Sequence, residues 1–170
     1  MLPSCQPTSP DKSVQWTGVG GTKLTADIVL DQGAPATTAE SLKVLIVDDQ
    51  RAMRSILRQL LQSLGIRHVV EATNGKEALE VLTQIDGWQI DLVISDLHMG
   101  TMDGIQFCNT VRRTEALRLR HLPIMMLTSE HDELLLEVIR QVGASDIAFK
   151  PISAPELAKR LARLVGVRLW

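Results

Sequence analysis

The chain has 170 residues, 45% hydrophobic and 22% charged, which suits one ordinary soluble domain able to bury a core without covalent staples. Its 18 Lys+Arg against 20 Asp+Glu leave a formal charge of −2, so no whole-chain basic field exists to hold nucleic acid or anionic lipid. Two cysteines, Cys5 and Cys108, and apolar runs far below the roughly 20 residues of a membrane span point to a reduced, cytoplasmic chain with no disulfide and no membrane span.

Residues 1–40 are rich in Pro, Gly, Ser and Thr, carry Lys12 and Lys23 against Asp11, Asp27, Asp31 and Glu40, and show no sustained period of 2 or 3.6. Such a segment cannot bury enough apolar surface to offset its ordering entropy, and it is read as a mostly disordered extension. Residues 26–30 suggest a short strand or docking segment. The run Gly18-Val19-Gly20-Gly21-Thr22-Lys23 fails both phosphate-loop templates: Lys23 stands where a dinucleotide fingerprint wants glycine, and no Gly-Lys-Ser/Thr follows a proper spacer. It reads as linker.

From Ser41 onward β-branched runs alternate with segments of helical period. Residues 43–47 predict a strand; Met53, Ile56, Leu57, Leu60, Leu61 and Leu64 then recur at helical spacing, with Gly65 as a stop. The cycle repeats as strand 67–71, an Asn74-Gly75 turn, helix 76–85, strand 92–95, helix 105–116, strand 124–127, helix 132–142, strand 147–149 and helix 154–165. Five β/α cycles in the remaining 130 residues leave room only for short connections. They predict a doubly wound α/β domain over 41–170, a parallel sheet with helices on both faces.

In such a sheet the ligand sits outside the carboxyl ends of the strands, where the strand order reverses. Those ends carry Asp48 and Asp49, Asp96, Thr128 and Ser129, and Lys150 followed by Pro151. Taken singly, Asp49 reads equally well as a cap for the helix beginning near Arg51, Asp96 as a turn residue and Lys150 as a solvated charge. Together, three carboxylates repel one another unless a cation or a proton relieves them. Magnesium suits one or two carboxylates plus waters and a substrate phosphate.

The ordered runs Val44-Leu45-Ile46-Val47-Asp48-Asp49, Asp91-Leu92-Val93-Ile94-Ser95-Asp96, Met102-Asp103-Gly104, Leu127-Thr128-Ser129 and Phe149-Lys150-Pro151 resemble the receiver domain of two-component response regulators. The resemblance covers about residues 41–168 and implies a five-stranded, flavodoxin-like sheet of order 2-1-3-4-5. It implies Asp96 as phosphoacceptor, taking a phosphoryl group from a sensor histidine kinase or phosphotransfer protein. Asp48, Asp49, Asp96 and the backbone carbonyl of His98 would hold magnesium, Lys150 would pair with an acyl or phosphoryl oxygen, and Thr128 would donate its hydroxyl to the phosphoryl group. The peptide bond between Lys150 and Pro151 is a candidate cis bond. The output would be a change in the binding of a downstream protein, with a homodimer through the predicted fourth and fifth helices as one form of it.

Two positions depart from the family pattern. Ile147 stands where an aromatic switch residue often sits, so coupling by rotation of a buried ring is absent. Gly100 replaces a usual proline, which is expected to loosen the loop beside Asp96. His98 and Glu130 occupy positions that in the family flank the line of water attack and tune phosphoryl lifetime. These departures keep open a non-switching scaffold; a receiver portion of a hybrid kinase is a further alternative. A phosphatase of small esters lacks its second aspartate, since His98 stands there.

His68, His121 and His131 are too scattered for a zinc motif and read as solvated surface. Arg112, Arg113, Arg118 and Arg120 read as cations in water near a helix end. Met125 and Met126 read as core. Leu134-Leu135-Leu136 is more apolar than one helix face needs, an expected partner-facing stretch.

Overall fold

Successive side chains of a strand point to opposite faces of the sheet. In β1 (Lys43–Val47) both sets from Val44 onward are apolar and buried, the signature of a strand covered on two sides. A computed structural model describes residues 38–84 and 89–167 of the chain. The expected disorder of 1–40 lies outside the described residues up to position 37, as do Cys5, the glycine run from Gly18 to Lys23, segment 26–30 and the predicted helix end at Ile85.

With β1, strands β2 (His68–Ala72), β3 (Leu92–Asp96), β4 (Ile124–Thr128) and β5 (Asp146–Phe149) form one five-stranded sheet of order β2-β1-β3-β4-β5. Every pairing is parallel: Val44 lies beside Val69 and Leu92, Ile94 beside Met125, and Met126 beside Ile147. Helices α1 (Arg51–Ser63) and α6 (Ala154–Val165) cover one face, where Leu57, Leu61, Leu157 and Leu161 pack with Val44, Ile46, Ile94 and Met125. On the other face, Leu45, Val47, Val93 and Met126 meet α2 (Gly75–Thr83), α3 (Gly104–Arg113), the single turn α4 (Leu117–Arg120) and α5 (Glu133–Gln141). Strand order reverses between β1 and β3, and this opens the crevice at their carboxyl ends.

Local chemistry sets the boundaries. The stop expected at Gly65 is real: its φ of 83° is left-handed, and its N–H bonds the carbonyl of Gln62 at 3.0 Å. The Asn74-Gly75 turn instead opens α2, because the Asn74 side chain accepts from the N–H of Glu77 at 3.0 Å and acts as the cap. The predicted helix 105–116 breaks at Thr114, whose ψ of 150° is extended, and a separate α4 follows.

Two further expectations are corrected. Asp49 does not cap α1: the cap position is Gln50, which makes no side-chain cap bond. Arg112 is not a solvated cation, for it lies half-buried and donates from Nε to the Gly143 carbonyl at 2.8 Å and from Nη2 to Ser145 Oγ at 3.3 Å. Its stem lies against Gly143, tying α3 to the segment that leads into β5.

Candidate functional site

Asp48, whose side chain is only 1% exposed, directly follows strand β1 at the crevice, and β3 ends in Asp96, also buried. Two buried carboxylates on adjacent strands need a counter-charge. Lys150 provides it: Nζ lies 2.9 Å from Asp96 Oδ1 and 3.0 Å from Asp48 Oδ2. The backbone of this lysine is tied to β4, because its N–H donates to the Thr128 carbonyl at 2.8 Å; the following peptide bond, to Pro151, is cis.

Asp49 joins the cluster from the exposed side, so that carboxylate oxygens of Asp48, Asp49 and Asp96 all lie within 4.8 Å of one another. Three carboxylates against one ammonium leave the cleft with excess negative charge, and both partners of the central pair respond in the same direction. Burial pushes the Asp96 carboxyl above its ordinary value, reinforced by Asp48, and Lys150 offsets this only partly. Burial alone would lower the Lys150 ammonium, but Asp96 and Asp48 outweigh it and hold the group above its usual range. A set of hard oxygen donors that still wants positive charge has the chemistry of a site for a hard divalent cation.

Thr128 is fully buried at the end of β4, and its Oγ1 accepts from the N–H of Glu130 at 3.0 Å. Above it, His98 Nε2 lies 3.1 Å from Glu130 Oε1, so the two positions expected to tune lifetime meet across the rim of the cleft. Ile147 lies in β5, partly buried and packed against the core on the α5 side. Gly100 is exposed, and a Cβ placed there would meet nothing within 4 Å.

Gly104 shows why the Met102-Asp103-Gly104 run belongs to this site. Its N–H bonds the Leu97 carbonyl at 2.9 Å, and a Cβ there would run into the Asp96 carbonyl oxygen. Only glycine lets the start of α3 come down behind Asp96. Asp103 caps that helix by accepting from the N–H of Gln106 at 2.8 Å.

The sequence reading missed two contacts near the cleft. His131, expected to be plain solvated surface, stacks on Phe149 with ring centroids 4.8 Å apart. Arg54 donates from Nη1 to the carbonyls of Asp48 and Asp49 and from Nε to Glu71 on β2. Neither pair has a local signature: His131 and Phe149 meet only when β4 and β5 pair, and Arg54 meets Glu71 only when α1 packs on β2.

A family model described as response regulator receiver domain matches residues 44–162. The chain is 34% identical over 125 residues to the chemotaxis protein CheY-3 of Vibrio cholerae serotype O1, covering 74% of this chain and 92% of that protein. Among solved structures, the chemotaxis response regulator CheY4 of Vibrio cholerae aligns with a TM-score of 0.64 at 33% identity, over 72% of this chain and 98% of that one. The receiver domain of a sensor histidine kinase from Pseudomonas aeruginosa PAO1, solved with a magnesium ion coordinated in its active-site cleft, aligns with a TM-score of 0.65 at 27% identity, over 74% of this chain and 98% of that one.

Proposed function

The chain belongs to the response regulator receiver domain family, the phosphoacceptor regulators of two-component signalling, and from that premise we propose that Asp96 is its phosphoacceptor. The observation that carries the assignment is the convergence of Asp48, Asp49, Asp96 and Lys150 in one crevice. In the transfer, a carboxylate oxygen of Asp96 attacks the phosphorus of a phosphohistidine on a sensor kinase or phosphotransfer protein. The O–P bond forms as the P–N bond breaks, and the imidazole leaves with the electron pair and takes a proton from water.

Magnesium fits the donor set and would be held by Asp48, Asp49, Asp96 and the carbonyl of His98; bound there it would offset charge on the carboxylate and phosphoryl oxygens. Lys150, already beside Asp96, supplies a compact positive charge to the oxygen that Asp96 carries. The Thr128 hydroxyl, whose oxygen accepts from Glu130, keeps its own proton to donate toward the phosphoryl group. The His98 and Glu130 pair stands where water must approach and sets the phosphoryl lifetime. The protein thus assists its own phosphorylation and dephosphorylation rather than turning over a substrate.

On this reading, residues 41–170 form the receiver domain, preceded by an extension over 1–40, and the protein works in the cytoplasm. No described helix is long and apolar enough to cross a membrane. Its output is a population shift that changes which partner binds the face of α5, β5 and α6. Leu134, Val138 and Phe149 are 80%, 42% and 38% exposed there, an apolar set suited to a downstream protein or to a second copy of this chain. With Ile147 at the switch position, the shift proceeds without rotation of a buried ring.

The test is intact mass after incubation with magnesium and acetyl phosphate, beside the Asp96→Asn variant. One base-labile phosphoryl group per chain, dependent on magnesium and absent from the variant, is expected. Equal modification of the variant, or none in either protein together with no response to beryllofluoride, overturns the assignment.

A further inference from the structure

One turn into α1, Arg54 keeps only 13% of its side chain exposed, an unusual depth for a helix arginine beside a solvent-facing turn. Its guanidinium holds three acceptors through Nε and Nη1. Nε lies 3.0 Å from Glu71 Oε2, while Nη1 lies 2.8 Å from the Asp48 carbonyl oxygen and 3.3 Å from that of Asp49. Glu71 is held from behind as well, since Arg58 Nε lies 2.7 Å from its other oxygen. Burial works against the Glu71 charge, but the hydrogen bonds and charges of Arg58 and Arg54 prevail and keep its carboxyl below the ordinary range.

These bonds reach the acidic cluster through peptide geometry. A peptide unit is planar, so fixing its carbonyl on one side fixes its N–H on the other. The unit joining Asp49 to Gln50 has its carbonyl on Arg54, and its N–H donates to Asp48 Oδ1 at 2.8 Å. The unit joining Asp48 to Asp49 also has its carbonyl on Arg54. Both planes that aim the Asp48 and Asp49 side chains are therefore set by one guanidinium, and the unit joining Asp49 to Gln50 orients Asp48 itself.

We propose that Arg54 is a positioning residue that presets the turn between β1 and α1 for a divalent cation, with Glu71 as its anchor on β2. The proposal rests on the assignment of Asp48 and Asp49 as cation ligands. Arg54 touches neither the carboxylates nor the reacting atoms; it acts through the backbone that carries them. Lysine in its place keeps the charge but loses the planar fork that holds two carbonyls and a carboxylate at once.

The test uses the full 170-residue chain, with magnesium chloride titrated by calorimetry into wild type, Arg54→Lys, Glu71→Gln and Arg58→Lys. Arg58 shares Glu71 but makes no bond to the turn, so it controls for loss of that network alone. Arg54→Lys should weaken magnesium binding about tenfold, Glu71→Gln less, and Arg58→Lys not measurably. Equal weakening by the two lysine variants, or unchanged affinity in Arg54→Lys, overturns the proposal.

Amide exchange of the Gln50 N–H in metal-free protein gives a second readout, expected to speed up in Arg54→Lys and to stay unchanged in Arg58→Lys. Absence of magnesium binding by wild type would overturn the reading of the cleft; the exchange measurement would still decide whether Arg54 holds the turn. Should Arg54→Lys fail to fold, Glu71→Gln carries the same two tests, and wild-type values in both overturn the proposal.

Discussion

At the carboxyl ends of β1, β3, β4 and β5 the chain buries Asp48, Asp96 and Thr128 and closes Lys150 over them, whereas along α5 and at the tip of β5 it leaves Leu134, Val138 and Phe149 in water. Each region holds the residues that ordinary partitioning would place in the other. In the cleft the buried carboxylates share the Lys150 ammonium, and among the described residues no buried side-chain nitrogen or oxygen lacks a hydrogen-bond partner. On the α5 edge Leu134 and Val138 stay exposed, and Phe149 is covered in part by the ring of His131. The cleft thus gathers charge, and the edge leaves apolar area exposed.

Breaking the charge balance of the cleft should have the largest effect. Lys150→Ala leaves Asp48 and Asp96 buried without their cation and is expected to cost about 3 kcal/mol at neutral pH, a loss that magnesium should partly restore in thermal melts. Next is Gly104→Ala, whose methyl group meets a backbone oxygen rather than a movable side chain. Overpacking of this kind should cost about 2–3 kcal/mol, read by denaturant titration; a cost below 1 kcal/mol would mean that α3 can retreat from Asp96.

A smaller effect of opposite sign is expected for Asp96→Asn. Because burial raises the Asp96 carboxyl in the fold, its stabilising contribution is complete below the ordinary aspartate value of about 3.9 and is lost as pH rises through the higher folded value. At neutral pH the metal-free variant should therefore be more stable than wild type by about 1 kcal/mol, and the gain should shrink as pH falls toward the aspartate range. A constant gain from acid to neutral pH would show that the ionised Asp96 carries no burial cost.

The edge should be nearly silent in stability. Leu134→Ser is expected to stay within about 0.5 kcal/mol of wild type, and a larger loss would mean that the apolar edge is already covered within the chain. Gly100→Ala should be as neutral, within about 0.5 kcal/mol, since an added methyl group there has open space. Beside Gly104→Ala it separates a glycine required by close approach from one that is not.

Much of this was legible in advance because it is local or periodic. Strand β1 and helix α6 fall on their predicted bounds, since Val44 to Val47 is apolar on both faces and Ser153 caps a strongly amphipathic run. The break between α3 and α4 was not legible. It coincides with Arg112, two residues before the extended Thr114, turning back to bond Gly143 and Ser145, more than 30 positions away in sequence. The acidic cluster and its lysine could be assembled from strand ends alone, because a parallel sheet delivers every strand's carboxyl end to one edge. That Asp49 leaves the cap position of α1 to Gln50 could not, since it depends on how the turn after Asp48 joins the helix.

The sequence by itself determined the order of elements, the two apolar faces of the sheet and the residue types at its charged rim, because each is written in spacing of 2 or 3.6 and in strand-end chemistry. Only the tertiary structure decided that one ammonium serves both buried aspartates. It also brought His131 onto Phe149 and joined the Asp48 turn through Arg54 to Glu71. Those contacts join side chains from different elements, and hydrogen bonds and ion pairs are fixed by angstrom-scale distances that sequence spacing does not encode.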